Sequence, residues 1–349
     1  MAGEATSRLD EAARALEEGD PERALAAAEE ACRAEPSGVA PLHLRAAALA
    51  DLGRVDEARD AYEGALARGG RDLDLLLDAA DFLLNRGAAE PGREDLERAL
   101  ELARRGSRLA RASGDAEAGA LAALEGQALN QLGDARAALA RLTEARRALP
   151  GDTGVLVERG LAHFELCRFE DAAADLEAAL RLDPDDAWAH HAMARVCERL
   201  GRPALSQEHF ARARSLAPDD FPEPVSMSPE AFERVVEKAL ERIPEPVRRY
   251  LENVAIAVED LPAEEELLAS DPPLSPSILG IFRGAPLPQK ESMDPWSHFP
   301  SSISLYQRNL ETFARDRDEL VEEIGITLVH EVGHFLGLDE EELWRRGLD

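Results

Sequence analysis

The chain has 349 residues, with 70 acidic against 40 basic side chains and a formal charge of −30. That length accommodates two folded parts, and the acidic balance excludes a binder of nucleic-acid backbone, which needs excess Lys and Arg to displace counterions. No opening stretch resembles a signal peptide, and no apolar run approaches the roughly 18 residues of a membrane span, so a cytoplasmic protein with no membrane partner is expected. Long-range attraction favours basic partners or substrates, although charge of this sign also serves solubility.

The first two thirds is rich in Ala, Leu, Arg and Glu, and it repeats. Pro150, Pro184 and Pro218 lie 34 residues apart, as do Ala24 and Ala58, and Ala138 and Ala172. Residues 126–152 and 160–186 place Gly, Ala and Pro at matching positions. This pattern resembles the tetratricopeptide repeat. Anchored on the prolines, units run over 5–38, 39–72, 119–152, 153–186 and 187–220. A longer, irregular unit fills 73–118, with its extra residues expected around the Pro- and Gly-bearing stretch 88–95. Each unit reads as two antiparallel helices that bury their apolar faces only by stacking, which gives an all-α solenoid over residues 1–220 with a concave face. The functional expectation is a protein or peptide partner on that face; a spacer or oligomerisation scaffold is the other reading. Cys32, Cys167 and Cys197 have neither disulfide nor metal spacing and read as buried thiols within repeat helices. His43, His163, His190, His191 and His209 read as surface or packing residues.

Residues 219–227 are Pro-rich and form a semi-rigid joint. Residues 228–244 predict an amphipathic helix, with Ser228 as N-cap, Pro229 in the first turn, and Phe232, Val235, Val236, Ala239 and Leu240 on one face. The stretches 253–260, 278–284 and 302–309 are short, β-rich and bounded by Pro or Gly, and read as strands. Between the last two lies 285–301, a long segment carrying Trp296 and His298. Loops of that length are often lids or substrate-binding segments, and His298 is a candidate to assist an oxyanion or simply a surface residue.

The last helix, expected over 318–336, carries the most chemistry. Ile324, Leu328, Val332 and Phe335 form an apolar stripe, and beside it stands His330-Glu331-Val332-Gly333-His334. Histidines four apart lie one turn from each other on one helix face and can grip a single Zn²⁺ ion. The Glu next to the first can reach the water that such an ion activates. Gly337 reads as a left-handed cap. A catalytic zinc takes three protein ligands, and the fifteen residues after His334 leave little room for one from a further helix. Gly337 and Glu340 fall three and six residues after His334, the offsets of the glycine and third ligand in extended motifs of this type. Glu340 is therefore the first candidate and Asp339 its alternative, while 339–342 also reads as an acidic turn capping a short helix over 341–346.

Residues 227–349 resemble the small bacterial zincin-like metallopeptidases, through residues 232–245, 253–262, 279–287, 303–309 and 330–343 taken in order. The resemblance implies a minimal α+β zinc-peptidase fold with His330 and His334 as ligands and Glu331 as base. That family usually has Asp where this chain has Glu340, and often Tyr where it has Phe282. A tyrosine oxyanion donor would then have to come from elsewhere, with Tyr306 as a weak candidate. The expected protein is an all-α tetratricopeptide-repeat solenoid followed by a small α+β zincin-like domain, acting as a zinc-dependent peptidase. The other reading is a non-catalytic, repeat-based adaptor with a metal-binding module; the intact Glu331 favours the enzyme.

Overall fold

The computed structural model describes residues 2–86, 91–251, 254–284 and 301–346; the side chains of residues 2–6, Pro246, Glu340, Glu341 and Trp344 lie outside that description. The chain separates into two compact units, residues 1–164 with 168–206, and residues 165–167 with 207–349. The fold class is the expected one, a helical solenoid and a small α+β unit.

The first unit is built from helix pairs: α1 (Ala2–Glu17) with α2 (Pro21–Ala34), α3 (Val39–Asp51) with α4 (Val55–Gly69), α5 (Leu73–Asp81) with α6 (Arg93–Ser113), α7 (Ala118–Gln131) with α8 (Ala135–Ala148), and α9 (Thr153–Glu165) with α10 (Phe169–Leu182). Next come α11 (Ala187–Arg199) and α12 (Pro203–Leu216), inside which the unit boundary falls. The starts of α2, α5, α8 and α11 are fixed by Asp20, Asp72, Asp134 and Asp186. Each accepts a hydrogen bond from the amide three residues on, at 2.9–3.1 Å, satisfying an otherwise orphaned donor. The repeat-spaced Ala24, Ala58, Ala138 and Ala172 are fully buried. A Cβ on Gly126 would stand 2.4 Å from Leu142, and one on Gly160 3.0 Å from Leu176, so glycine there sets how closely the paired helices approach.

Two expectations change. The extra length of the irregular repeat is carried partly by α6, with 21 residues against 14 in α8 and α10. The expected insertion at 88–95 lies partly outside the described residues. Of the cysteines, Cys32 on α2 is only half-buried and Cys197 on α11 is buried, whereas Cys167 leaves the helix altogether. It occupies a left-handed turn (φ 56°) where the flanking repeats place Gly133 and Gly201.

In the second unit, α13 (Pro229–Arg242) starts at Ser228, whose side chain accepts from the Ala231 amide, with Pro229 in the first turn. After α14 (Glu245–Leu251) come β1 (Ala255–Glu259), α15 (Glu264–Leu267), β2 (Gly280–Arg283) and β3 (Ser302–Tyr306). The order in the sheet is β1-β3-β2, with β1 parallel and β2 antiparallel to β3. Then follow α16 (Gln307–Phe313), α17 (Arg317–Phe335) and α18 (Glu340–Arg346). The core joins Phe232, Val235, Val236 and Ala239 of α13 to Ile303 and Leu305 of β3 and to Leu320, Ile324, Leu328 and Val332 of α17.

The other sheet face is polar. Arg283 donates to Glu266 at 2.6 and 2.8 Å and to Glu259 at 2.8 Å. Ser304 donates to Glu259 and Tyr306 to Glu266. The alternation of strand side chains separates these groups from Ile303 and Leu305. Just ahead of α13, the Met227 amide donates to Glu311 and the Met227 carbonyl accepts from Gln307.

Candidate active site

Helix α17 organises the site. Asp316 caps it, accepting from the amides of Asp318 and Glu319 at 2.8 and 2.9 Å. The stripe of Leu320, Ile324, Leu328, Val332 and Phe335 is buried in the core. Glu323, Ile326, Thr327, His330, Glu331 and His334 form a second stripe that walls a cleft of about 630 Å³. The opposite wall is Leu274 and residues 278–282, which include most of β2, an edge strand of the described sheet. Phe313 completes the lining.

The ring nitrogens Nε2 of His330 and His334 are 3.2 Å apart, with ring centroids 4.8 Å apart and planes at 82°. Two imidazoles binding one ion at ~2.05 Å with a tetrahedral angle would hold their nitrogens ~3.3 Å apart, so the pair fits a shared zinc. The tautomer of His334 is fixed from behind. Its Nδ1 faces the Leu338 carbonyl at 3.1 Å and donates to it, which leaves the Nε2 lone pair for a metal. Glu331 lines the same cleft and is 5% exposed, placed for proton transfer and shielded from bulk water.

The backbone beyond His334 turns back at once. Gly337 is left-handed (φ 85°); its amide donates to the His334 carbonyl and that of Leu338 to the Gly333 carbonyl. A Cβ on Gly333 would lie 2.2 Å from Leu343, a fully buried side chain of α18. Glycine inside the motif therefore lets α18 pack against α17 and brings Leu338 under His334. Asp339 caps α18: its carboxylate accepts from the Glu342 amide at 2.9 Å, while Glu342 accepts from the Asp339 amide at 3.2 Å. The side chain of Glu340 lies outside the described residues. Among the described residues no three His, Cys, Asp or Glu side chains gather as a metal-binding group.

A family model described as zincin-like metallopeptidase matches residues 251–348. Models described as tetratricopeptide repeat match residues 9–72, 123–187 and 163–226. The chain joins tetratricopeptide repeats to a zincin-like metallopeptidase region. Among solved structures, it is similar to one reported as a functional characterisation of Pseudomonas aeruginosa pilF, at 14% identity and a TM-score of 0.52, covering 67% of this chain and 98% of that one. It is also similar to PilW, a type IV pilus biogenesis factor, at 16% identity and a TM-score of 0.53, covering 62% and 94%. A third is the Cut9–Hcn1 hetero-tetramer of the APC/C, at 18% and 0.51, covering 62% and 40%. At these identities the likeness is one of fold. No curated protein matches the chain.

In the zincin-like region, Phe282 lines the cleft and packs on Phe335 with centroids 5.6 Å apart, so this position faces the site but offers no hydroxyl. Tyr306 is not the missing donor. Its hydroxyl is spent on Glu266, on the sheet face opposite the core, and burial followed by that carboxylate raises its pKa. Trp296 and His298 lie outside the described residues. Reading the sequence missed the Leu338 carbonyl, the packing role of Gly333, and Glu323. A glycine in mid-helix signalled the second. The third was signalled by a carboxylate seven residues before His330, on the same face.

Proposed function

We propose that the chain is a zinc-dependent peptidase whose repeats, over residues 1–220, bring a protein substrate or partner to a catalytic domain over residues 227–349. The observation that carries this reading is the convergence of the His330 and His334 Nε2 atoms, 3.2 Å apart, in a cleft that also holds the buried Glu331. His330 and His334 would hold the ion, with Glu340 as third ligand. When bound, zinc supplies Lewis acidity that brings ionisation of a water to near-neutral pH and polarises a carbonyl. Glu331 would serve as the base that accepts a proton from a water in the cleft and as the acid that returns it to the departing amine nitrogen. The edge of β2 offers backbone donors and acceptors to an extended peptide laid along the cleft. The Met227 hydrogen bonds to Gln307 and Glu311 support placing the start of the catalytic domain there. No helix among the described residues is long and apolar enough to cross a membrane, and no disulfide joins the three cysteines; both support a cytoplasmic setting.

Metal analysis tests the assignment. The purified chain should carry about one zinc, and His330→Ala and His334→Ala should each lose it. Unchanged metal content in both variants would remove the site.

A further inference from the structure

We propose that Glu323 is the specificity determinant of the cleft, binding the Lys or Arg side chain of an extended peptide whose scissile bond sits beside His330 and His334. The inference rests on the peptidase reading and names its substrate class.

Three observations lead there. Glu323 lines the cleft on the same helical stripe as Thr327, His330, Glu331 and His334. The rest of the cleft lining is largely hydrocarbon, with Leu274, Ile278, Phe313 and Ile326 among it. Phe313 and Ile326 are 56% and 42% exposed, unusual for large apolar side chains. And among the described residues no cation or hydrogen-bond donor reaches the Glu323 carboxylate. Burial and the nearby Glu319 and Glu322 instead raise its proton affinity.

A carboxylate in a largely apolar cleft matches a side chain with an apolar stem and a charged tip. The methylenes of Lys or Arg would lie along Phe313 and Ile326, with the cationic head on Glu323. A wholly apolar side chain would lie in the cleft but leave the carboxylate desolvated and unpartnered, which is unfavourable. A shorter cation, such as a peptide amino terminus, has no stem to cover the apolar rim. Position along the substrate follows from helix geometry. Glu323 precedes His330 by seven residues, about 10.5 Å along α17. An extended peptide covers that span in about three residues. The basic residue therefore stands about two to four positions from the cleaved bond.

The test uses the full chain and fluorescent peptides of one apolar sequence, with Lys, Met or Glu moved through successive positions, each N-acetylated or with a free amine. Affinity is measured on the Glu331→Gln background with and without zinc, and cleavage on the zinc-loaded wild type. With Glu331→Gln, acetylated Lys peptides should bind at least ~10-fold tighter than Met peptides, and added salt should shrink the difference. Adding Glu323→Gln should level the two, and Glu323→Lys should reverse the preference towards Glu peptides. Thermal melts verify that each variant is folded, and Glu323→Asp should keep the preference for Lys. A Lys preference untouched by either Glu323 change, or no preference at all, overturns the proposal. Binding that requires the free amine overturns it too, by assigning the cation to the chain terminus. Glu323-dependent binding of peptides that the zinc-loaded wild type never cleaves would sustain this inference and defeat the peptidase reading. Cleavage indifferent to Glu323 would do the reverse.

Discussion

His334 uses both of its ring nitrogens. Nδ1 is held by the Leu338 carbonyl and Nε2 meets His330, so one backbone atom orients the ring for ligation. The turn that supplies this carbonyl is followed by the two acidic candidates, of which Glu340 is the proposed ligand. Asp339 already serves as cap of α18, so Asp339→Ala should lower stability by about 1 kcal/mol while leaving zinc affinity nearly unchanged. Glu340→Ala should weaken zinc binding with a smaller change in melting temperature. Titration with a zinc chelator, alongside thermal melts, separates the two, and loss of metal in the Asp339 variant alone would reassign the ligand. At this scale the shared placement of His330, Glu331 and His334 was legible, because helical spacing alone puts them on one face. The Leu338 carbonyl was not, since a backbone acceptor leaves no mark in the side-chain sequence. Nor was the cleft that Glu323 lines, because its other lining residues include Leu274, residues 278–282 and Phe313, remote in the chain.

At the scale of elements, the packing of α18 on α17 depends on Gly333. Gly333→Val would drive a side chain into buried Leu343 and should cost about 1–3 kcal/mol through overpacking. Because the same contact places Leu338 under His334, zinc affinity should fall in parallel; a variant with lowered melting temperature and unchanged zinc affinity would separate the two. The polar face of the sheet makes a pH-dependent contribution. Hydrogen bonding to Arg283 holds the Glu266 and Glu259 carboxyls below their ordinary values. Groups lowered in this way stabilise the fold above the unfolded carboxylate pKa of about 4, and the contribution fades as pH falls through their folded values. Arg283→Met should therefore lower the melting temperature at pH 7 and matter progressively less as pH falls through the folded values of these carboxyls, flattening the acid limb of a stability–pH profile; a loss that does not change with pH would contradict it. The helices and strands of this region could be read from period and punctuation. Their arrangement could not, because the parallel β1–β3 pairing and the edge position of β2 depend on contacts distant in sequence. In the repeats the reading erred where local rules were weakest. The irregular unit has a lengthened α6, and Cys167 occupies a left-handed turn at a position where glycine is the usual occupant.

For the molecule as a whole, the repeats and the zincin-like region present different chemistry. The repeats supply helix-paired surface, while the cleft of α17 and β2 supplies an imidazole pair, a buried carboxylate and a largely apolar lining. The −30 formal charge of the chain favours the approach of basic protein segments, in keeping with the Lys or Arg preference proposed for the cleft. The fold class was legible from the 34-residue period and the order of elements around the His330–His334 motif, because both are local patterns repeated or closely spaced. The substrate cleft was not, because its walls assemble only when α17 meets the sheet. The central claim, that Glu331 performs acid–base chemistry without binding the metal, is tested most directly by comparing zinc content and peptide hydrolysis in the same preparations of wild type and Glu331→Gln. The account predicts about one zinc per chain in both and a rate reduced by at least ~10²-fold in the variant. Equal cleavage rates at equal zinc content would contradict it.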